Sequence, residues 1–251
     1  MHDRYRTLSL HSLTIAASIA VLCILGWEVY DILSPIPLQT VSTMAETRTI
    51  LLPDQTEVVL NRYSSLTYPQ RFKGKTREVR LTGEGYFKVT KDAAHPFKVN
   101  TEALDVEVLG TDFNVEAYPK SPVIKTTLLE GSVAVNLTEG RARTLMLNPN
   151  ESAVYDKSNQ SLIKQTEENA SGEVAWQDGT LLFRNTALHE IMQQLSNAFN
   201  VNIQIKDSTI KDYHMTATFS NRESLDEILS LLSSNKKFNY TSKQNAIIIT
   251  E

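Results

Sequence analysis

The stretch Arg77-Glu-Val-Arg-Leu-Thr-Gly-Glu-Gly-Tyr-Phe-Lys-Val89 decides how the chain is read. Val79, Leu81, Phe87 and Val89 fall on alternate positions, and charged, polar or glycine residues stand between them. A period of two belongs to a β-strand with one buried and one wet face. Nothing in the stretch repeats at helical spacing. Gly83 reads as a turn that divides it into strands over 77–81 and 85–89.

Working outward, the same alternation recurs at 57–60, 97–99, 104–108, 112–117, 125–129, 132–135 and 152–155. Turn signals separate these runs: Pro53-Asp54, Gly110, Glu130-Gly131 and Asn148-Pro-Asn150. The pattern predicts an all-β domain over 47–165, built as a twisted solenoid or a sandwich.

The polar run Thr166-Glu-Glu-Asn-Ala-Ser-Gly172 places a linker at 166–175. Beyond it, 176–251 changes character. Thr180-Leu-Leu-Phe183 reads as a strand. Asn185 or Thr186 is set to cap a helix carrying Leu188, Ile191, Met192, Leu195 and Phe199 on one face. Strands follow at 201–205 and 214–219. Ser220 or Asn221 opens a second helix with Leu225, Ile228, Leu229 and Leu232, and Phe238-Asn-Tyr240 with Ala246-Ile-Ile-Ile249 closes as a hairpin. The order β-α-β-β-α-β-β predicts a small α+β domain.

The start of the chain is different again. From Thr7 to Trp27 there is no charged residue if His11 is neutral. About 20 apolar residues at 1.5 Å rise cross a hydrocarbon core of about 30 Å. Arg4 and Arg6 precede the run, and Glu28 and Asp31 follow it, so the N-terminus is expected in the cytoplasm. Trp27 and Tyr30 sit where an interfacial aromatic belt belongs. The run exceeds a signal-peptide core, and no small-x-small cleavage site follows, which favours an uncleaved anchor. The layout is then a short cytoplasmic tail at 1–10, a transmembrane helix at 11–30, and a linker at 31–46 that begins with Ser34-Pro-Ile-Pro37.

Composition narrows the function. The 251 residues carry a net charge of −4, with 41% hydrophobic and 22% charged residues. That composition excludes global disorder, and a pI near 5.8 makes nucleic acid a poor partner. The single cysteine, Cys23, cannot form an internal disulfide. Histidines 2, 11, 95, 189 and 214 form no ligand-spaced cluster. No nucleophile elbow, phosphate loop or zinc motif is present, so no cofactor, metal or enzymatic turnover is expected. Glu84, Asp112 and Glu130 are the carboxylates that a fold could converge for acid–base work; the plainer reading is solvated strand faces.

Several stretches together resemble the FecR family of transmembrane regulators: Leu52-Pro-Asp-Gln-Thr56 with Val58, Leu60 and Asn61; Tyr68-Pro69; residues 77–89; His95-Pro-Phe-Lys-Val99; Val108-Leu-Gly-Thr-Asp-Phe-Asn-Val115; and Thr126-Thr-Leu-Leu-Glu-Gly-Ser-Val133. The part entered by Trp176-Gln-Asp-Gly-Thr-Leu-Leu-Phe183 is similar to the small signalling (STN) domain of secretins and TonB-dependent receptors, as in Bacteroidetes-type members. The resemblance implies an anti-sigma factor, a transmembrane signal transducer. It would relay occupancy of an outer-membrane TonB-dependent transporter, loaded with a siderophore or glycan, to an extracytoplasmic-function sigma factor. It also implies an inner-membrane, single-pass protein with its bulk in the periplasm. Family members usually carry a cytoplasmic helical domain before the membrane helix, and it binds the sigma factor. Only a few residues precede the helix here, too few for a core. Sigma binding is therefore expected to be indirect or to use a missing N-terminal domain. The alternative is an envelope scaffold or secretion-associated periplasmic protein without sigma-factor regulation. A carbohydrate-binding or hydrolytic β-domain would need an aromatic platform or paired carboxylates, and neither is evident.

Two candidate sites follow from the resemblance. Some relatives resemble self-cleaving proteins that break a Gly-Thr bond by N→O acyl shift, which points to Gly110 and Thr111; the other reading is a turn or bulge there. The signalling domain of the transporter is expected to contact the C-terminal domain by strand addition, with Phe238, Tyr240, Ile247 and Ile249 as candidates; the other reading makes them core strands.

Overall fold

The computed structural model describes residues 10–138, 144–220, 222–234, 237–243 and 246–251. Arg4, Arg6, His2 and Asn221 lie outside the described residues, as do the side chains of His11, Glu28 and Asp31. The chain forms two units, Met1–Pro37 and Leu38–Glu251.

The first unit holds helix α1 (Leu10–Leu33). Leu13, Ile15, Ile19, Val21, Leu22, Ile24, Leu25 and Trp27 are all more than half exposed. Among the described residues, no helix is long and apolar enough to cross a membrane; in α1 the described side chains run unbroken only over 13–27.

The second unit begins with thirteen strands: β1 (Leu38–Ser42), β2 (Arg48–Leu51), β3 (Glu57–Leu60), β4 (Ser65–Pro69), β5 (Arg77–Lys88), β6 (Phe97–Asn100), β7 (Leu104–Val108), β8 (Asp112–Ala117), β9 (Val123–Glu130), β10 (Val133–Leu137), β11 (Thr144–Leu147), β12 (Glu151–Asp156) and β13 (Ser161–Thr166). They form two antiparallel-dominated layers that share β5. Its first half pairs with β4 and with the parallel β6, in the order β1-β4-β5-β6-β7-β10-β11. Its second half pairs with β3 and β8, in the order β2-β3-β5-β8-β9-β12-β13. The apolar faces of both layers meet in one core, where Phe87 and Phe113 stack at 5.2 Å between centroids and Phe97 lies 6.2 Å from Phe87. The all-β domain expected from the alternation is observed, as one continuous sheet that bends at β5.

The opening stretch is one strand, not two. Gly83 lies inside β5 with φ +94°, and a Cβ there would meet Ser64 Cα at 2.7 Å. The glycine lets the strand bend past the Ser64 backbone and pass from one layer to the other. The expected linker over 31–46 is also corrected, because β1 pairs along its length with β4 and belongs to the sheet.

The remainder is the α+β domain, in the expected order. It comprises β14 (Leu181–Ala187), α2 (Leu188–Phe199), β15 (Asn202–Ile205), β16 (His214–Phe219), α3 (Leu225–Ser233), β17 (Asn239–Lys243) and β18 (Ala246–Thr250). The strands make two small sheets: β14 pairs with β16, and β18 lies between the parallel β15 and the antiparallel β17. Phe183, Leu188, Ile191, Leu195, Leu229, Phe238 and Ile249 build the core. Two caps differ from expectation. α2 starts from Ala187 with no side-chain cap, because β14 runs on through Asn185 and Thr186. α3 starts from Ser224, whose hydroxyl and Glu227 form a capping box. The segment read as a linker holds a 3-10 helix, Gly172–Asp178, with Trp176 buried.

Candidate functional site

The outer face of the second layer is not wet where β5, β8 and β9 run side by side. Strand register sets Glu84 directly opposite Glu116, and Glu116 directly opposite Lys125. Around this row the polar positions are filled by short neutral side chains, and Asn61, Asn114, Thr127 and Ser152 are all buried. The α+β domain covers the face. Asn197 of α2 donates from Nδ2 to Glu116 Oε1 at 2.8 Å. Lys120 Nζ donates to Asn200 Oδ1 at 3.3 Å, and the Arg62 guanidinium lies 5.7 Å from the Phe199 ring centre. From the 3-10 helix, Glu173 reaches Lys125 at 3.0 Å, and Glu167 meets the same ammonium at 3.0 Å.

Charge is unbalanced in this junction. Glu84 is 9% exposed, and its carboxylate accepts from Asn61 Nδ2 at 2.7 Å and from Asn114 Nδ2 at 2.8 Å. Among the described residues no cation bonds to it. Burial first, then the neighbouring Glu116, raises the Glu84 pKa from 4.5 to about 8. Burial and Glu173 raise Glu116 from 4.5 to about 7, against the opposing pull of Lys125 and Asn197. Lys125 is held charged by Glu173 and Glu167, which outweigh its own desolvation. A small cavity of about 20 Å³ lies at the same junction, between Asn61, Arg62, Trp176, Ala198, Phe199 and Glu223. That is room for about one water, and the buried Trp176 Nε1 beside it has no hydrogen-bond partner.

Of the three carboxylates singled out from sequence, Asp112 and Glu130 are register partners beside a bulge, and Tyr86 donates to Asp112 at 3.2 Å. Burial and Asp112 raise the Tyr86 hydroxyl to about 12. Glu84 does not join them; its neighbour is Glu116. Sequence reasoning missed Glu116, Lys125, Glu173 and Asn197. The available signal was the run of Asn, Thr and Ser, rather than long charged residues, on the outward positions of these strands.

Gly110 takes φ +145°, and a Cβ there would meet Lys91 Cα at 2.6 Å. Close passage against Lys91 therefore accounts for the glycine. Thr111 is 4% exposed, and its hydroxyl donates to the Ser132 carbonyl at 3.1 Å. Phe238, Ile247 and Ile249 are buried in the α+β core and present no side chain to a partner. Tyr240 is partly buried, with its hydroxyl 3.1 Å from Asp226 Oδ1. β18 is central in its sheet, so of the two hairpin strands only β17 has an open edge. Among the described residues, no group of three or more metal-ligating side chains is assembled.

Arg77 joins two of the quoted motifs. Its Nη1 meets Asp54 Oδ2 at 2.6 Å and the Thr90 carbonyl at 3.0 Å, and its Nε donates to the His95 carbonyl at 2.8 Å. This fixes the Leu52–Thr56 turn to the loop before β6, beside an open recess of about 460 Å³ lined in part by Phe72 and Asp92.

Comparison with known proteins agrees with this architecture. Residues 39–134 match the family model described as FecR protein, and residues 180–249 match that described as FecR, C-terminal. Two crystal structures of a candidate anti-sigma factor from Parabacteroides distasonis ATCC 8503 share the fold at TM-score 0.72 and 29% identity. The likeness covers 86% of this chain and 99% of that one in the first, and 84% and 98% in the second. No curated protein matches. The two matched regions follow the two domains of the second unit, in the same order, and the chain belongs to the FecR family.

Proposed function

We propose that the chain is a FecR-like anti-sigma regulator, anchored in the inner membrane, that relays occupancy of an outer-membrane TonB-dependent transporter to an extracytoplasmic-function sigma factor. The observation that carries this reading is the pairing of both FecR regions in one chain, with likeness over 86% of its length to a candidate anti-sigma factor. In this reading α1 is the anchor. At 24 residues its backbone extends about 36 Å, and its described large apolar side chains are exposed. The residues before α1 lie in the cytoplasm and the two β-containing domains in the periplasm. The chain acts by binding, and the open edge of β17 is the surface for the transporter's signalling domain.

Pull-down of the full chain, in detergent, by the transporter's immobilised signalling domain tests the reading. Binding is expected, and removing residues 173–251 is expected to abolish it. Equal retention of the shortened chain overturns the assignment of the contact surface.

A further inference from the structure

We propose that the α+β domain is held on the β domain by carboxyl protons at Glu84 and Glu116, and is released as pH rises through neutrality. The inference rests on the domain junction and is independent of the transporter reading.

Geometry carries the case. Four carboxylates, Glu84, Glu116, Glu167 and Glu173, share the covered face with Lys125, the lysine that bonds to carboxylates of this group among the described residues. Lys125 is spent on Glu167 and Glu173, both at 3.0 Å. Glu84 and Glu116 stand opposite each other on neighbouring strands, where like charges repel. Every side-chain hydrogen bond described for this pair comes from a neutral amide: Asn61, Asn114 or Asn197. Among the described residues, the other charged or titratable groups at the junction bond elsewhere, although the Tyr118 hydroxyl is near enough to both glutamates for burial and their charge to raise its pKa. Arg62 lies over Phe199. Lys120 reaches Asn200. Tyr118 donates to the Arg62 carbonyl, and Glu223 accepts from Ser220. Glu84 is buried and Glu116 half-buried beside it, and two ionised carboxylates so placed are costly, so the covered state retains protons.

The sign of the pH effect follows from linkage. Covered, the pair titrates at about 7 and about 8; opened to water, each returns toward 4.5. The covered state therefore binds more protons throughout that interval. Docking is strongest below 4.5 and weakens by up to about tenfold per pH unit for each proton released. It levels off above about 8.

Trp176 reads the junction directly, because it is buried there and the chain holds only one other tryptophan, Trp27. The experiment uses the full chain carrying Trp27→Phe in detergent micelles. Acrylamide, an uncharged quencher, is titrated between about pH 5.5 and about pH 8.5. Quenching of Trp176 is expected to rise with pH while far-UV circular dichroism stays constant. Introducing Glu84→Gln with Glu116→Gln fixes the neutral form, and quenching should stay low throughout. Each single change should remove part of the rise, which guards against a double variant that fails to fold. Quenching that is flat with pH in the parent, or that rises equally in the double variant, overturns the proposal.

Discussion

The Arg77 guanidinium and the Asp54 carboxylate meet at 2.6 Å with side chains only 5% and 12% exposed. The pair lies beneath the loop before β6, with Arg77 also 5.4 Å from the Phe97 ring centre. Asp54 in turn accepts from the amide and hydroxyl of Thr56. Asp54→Ala leaves a buried guanidinium uncompensated and is expected to cost about 3–5 kcal/mol in urea unfolding. Arg77→Lys should rescue little, because one ammonium nitrogen cannot stand where both Nε and Nη1 bond to His95, Asp54 and Thr90.

At Gly83 the positive φ and the closeness of Ser64 act together. Gly83→Ala is expected to destabilise the β domain by at least about 1–3 kcal/mol. The loss should appear as a lower urea midpoint with an unchanged slope.

Lys125 is the cation facing Glu116, Glu167 and Glu173. Lys125→Met leaves those carboxylates repelling one another only when they are ionised. Glu167 is the first to matter, since its own pKa is lowered in the folded state by Lys125 and by hydrogen bonds that outweigh its burial. The penalty relative to the parent should therefore be small in acid and grow as pH rises toward about 8, read as the difference in urea midpoints.

Thr111 spends its hydroxyl on the Ser132 carbonyl, and Lys91 explains the backbone at Gly110. The purified full chain is accordingly expected to give one intact mass. A fragment whose N-terminus maps to Thr111 would show that the Gly110-Thr111 bond does cleave.

Much of the fold was legible because it is local. Alternation at 104–108 and 112–117 identified β7 and β8, and the stripe from Leu188 to Phe199 identified α2. What was hidden depends on pairing between distant segments. The strand in the supposed linker, β1, is exposed along most of its length and is defined by β4. Gly83 is a turn residue by local rules and a bend in β5 only because Ser64 packs against it. The junction was legible least of all. Glu116 occupies an outward position of β8, and period two cannot reveal that a second domain covers that side. Its opposition to Glu84 is a matter of register across 32 residues of chain. Ser224 was overlooked as a cap because Ser220 offered an earlier polar start.

The most direct test of the regulatory account is a transcriptional reporter driven by the partner sigma factor, in cells that also carry the partner transporter. With the chain present, adding the transporter's ligand should raise expression. Deleting the chain should make expression indifferent to the ligand, and restoring the full sequence should bring the response back. A ligand response of equal size in its absence would contradict the account.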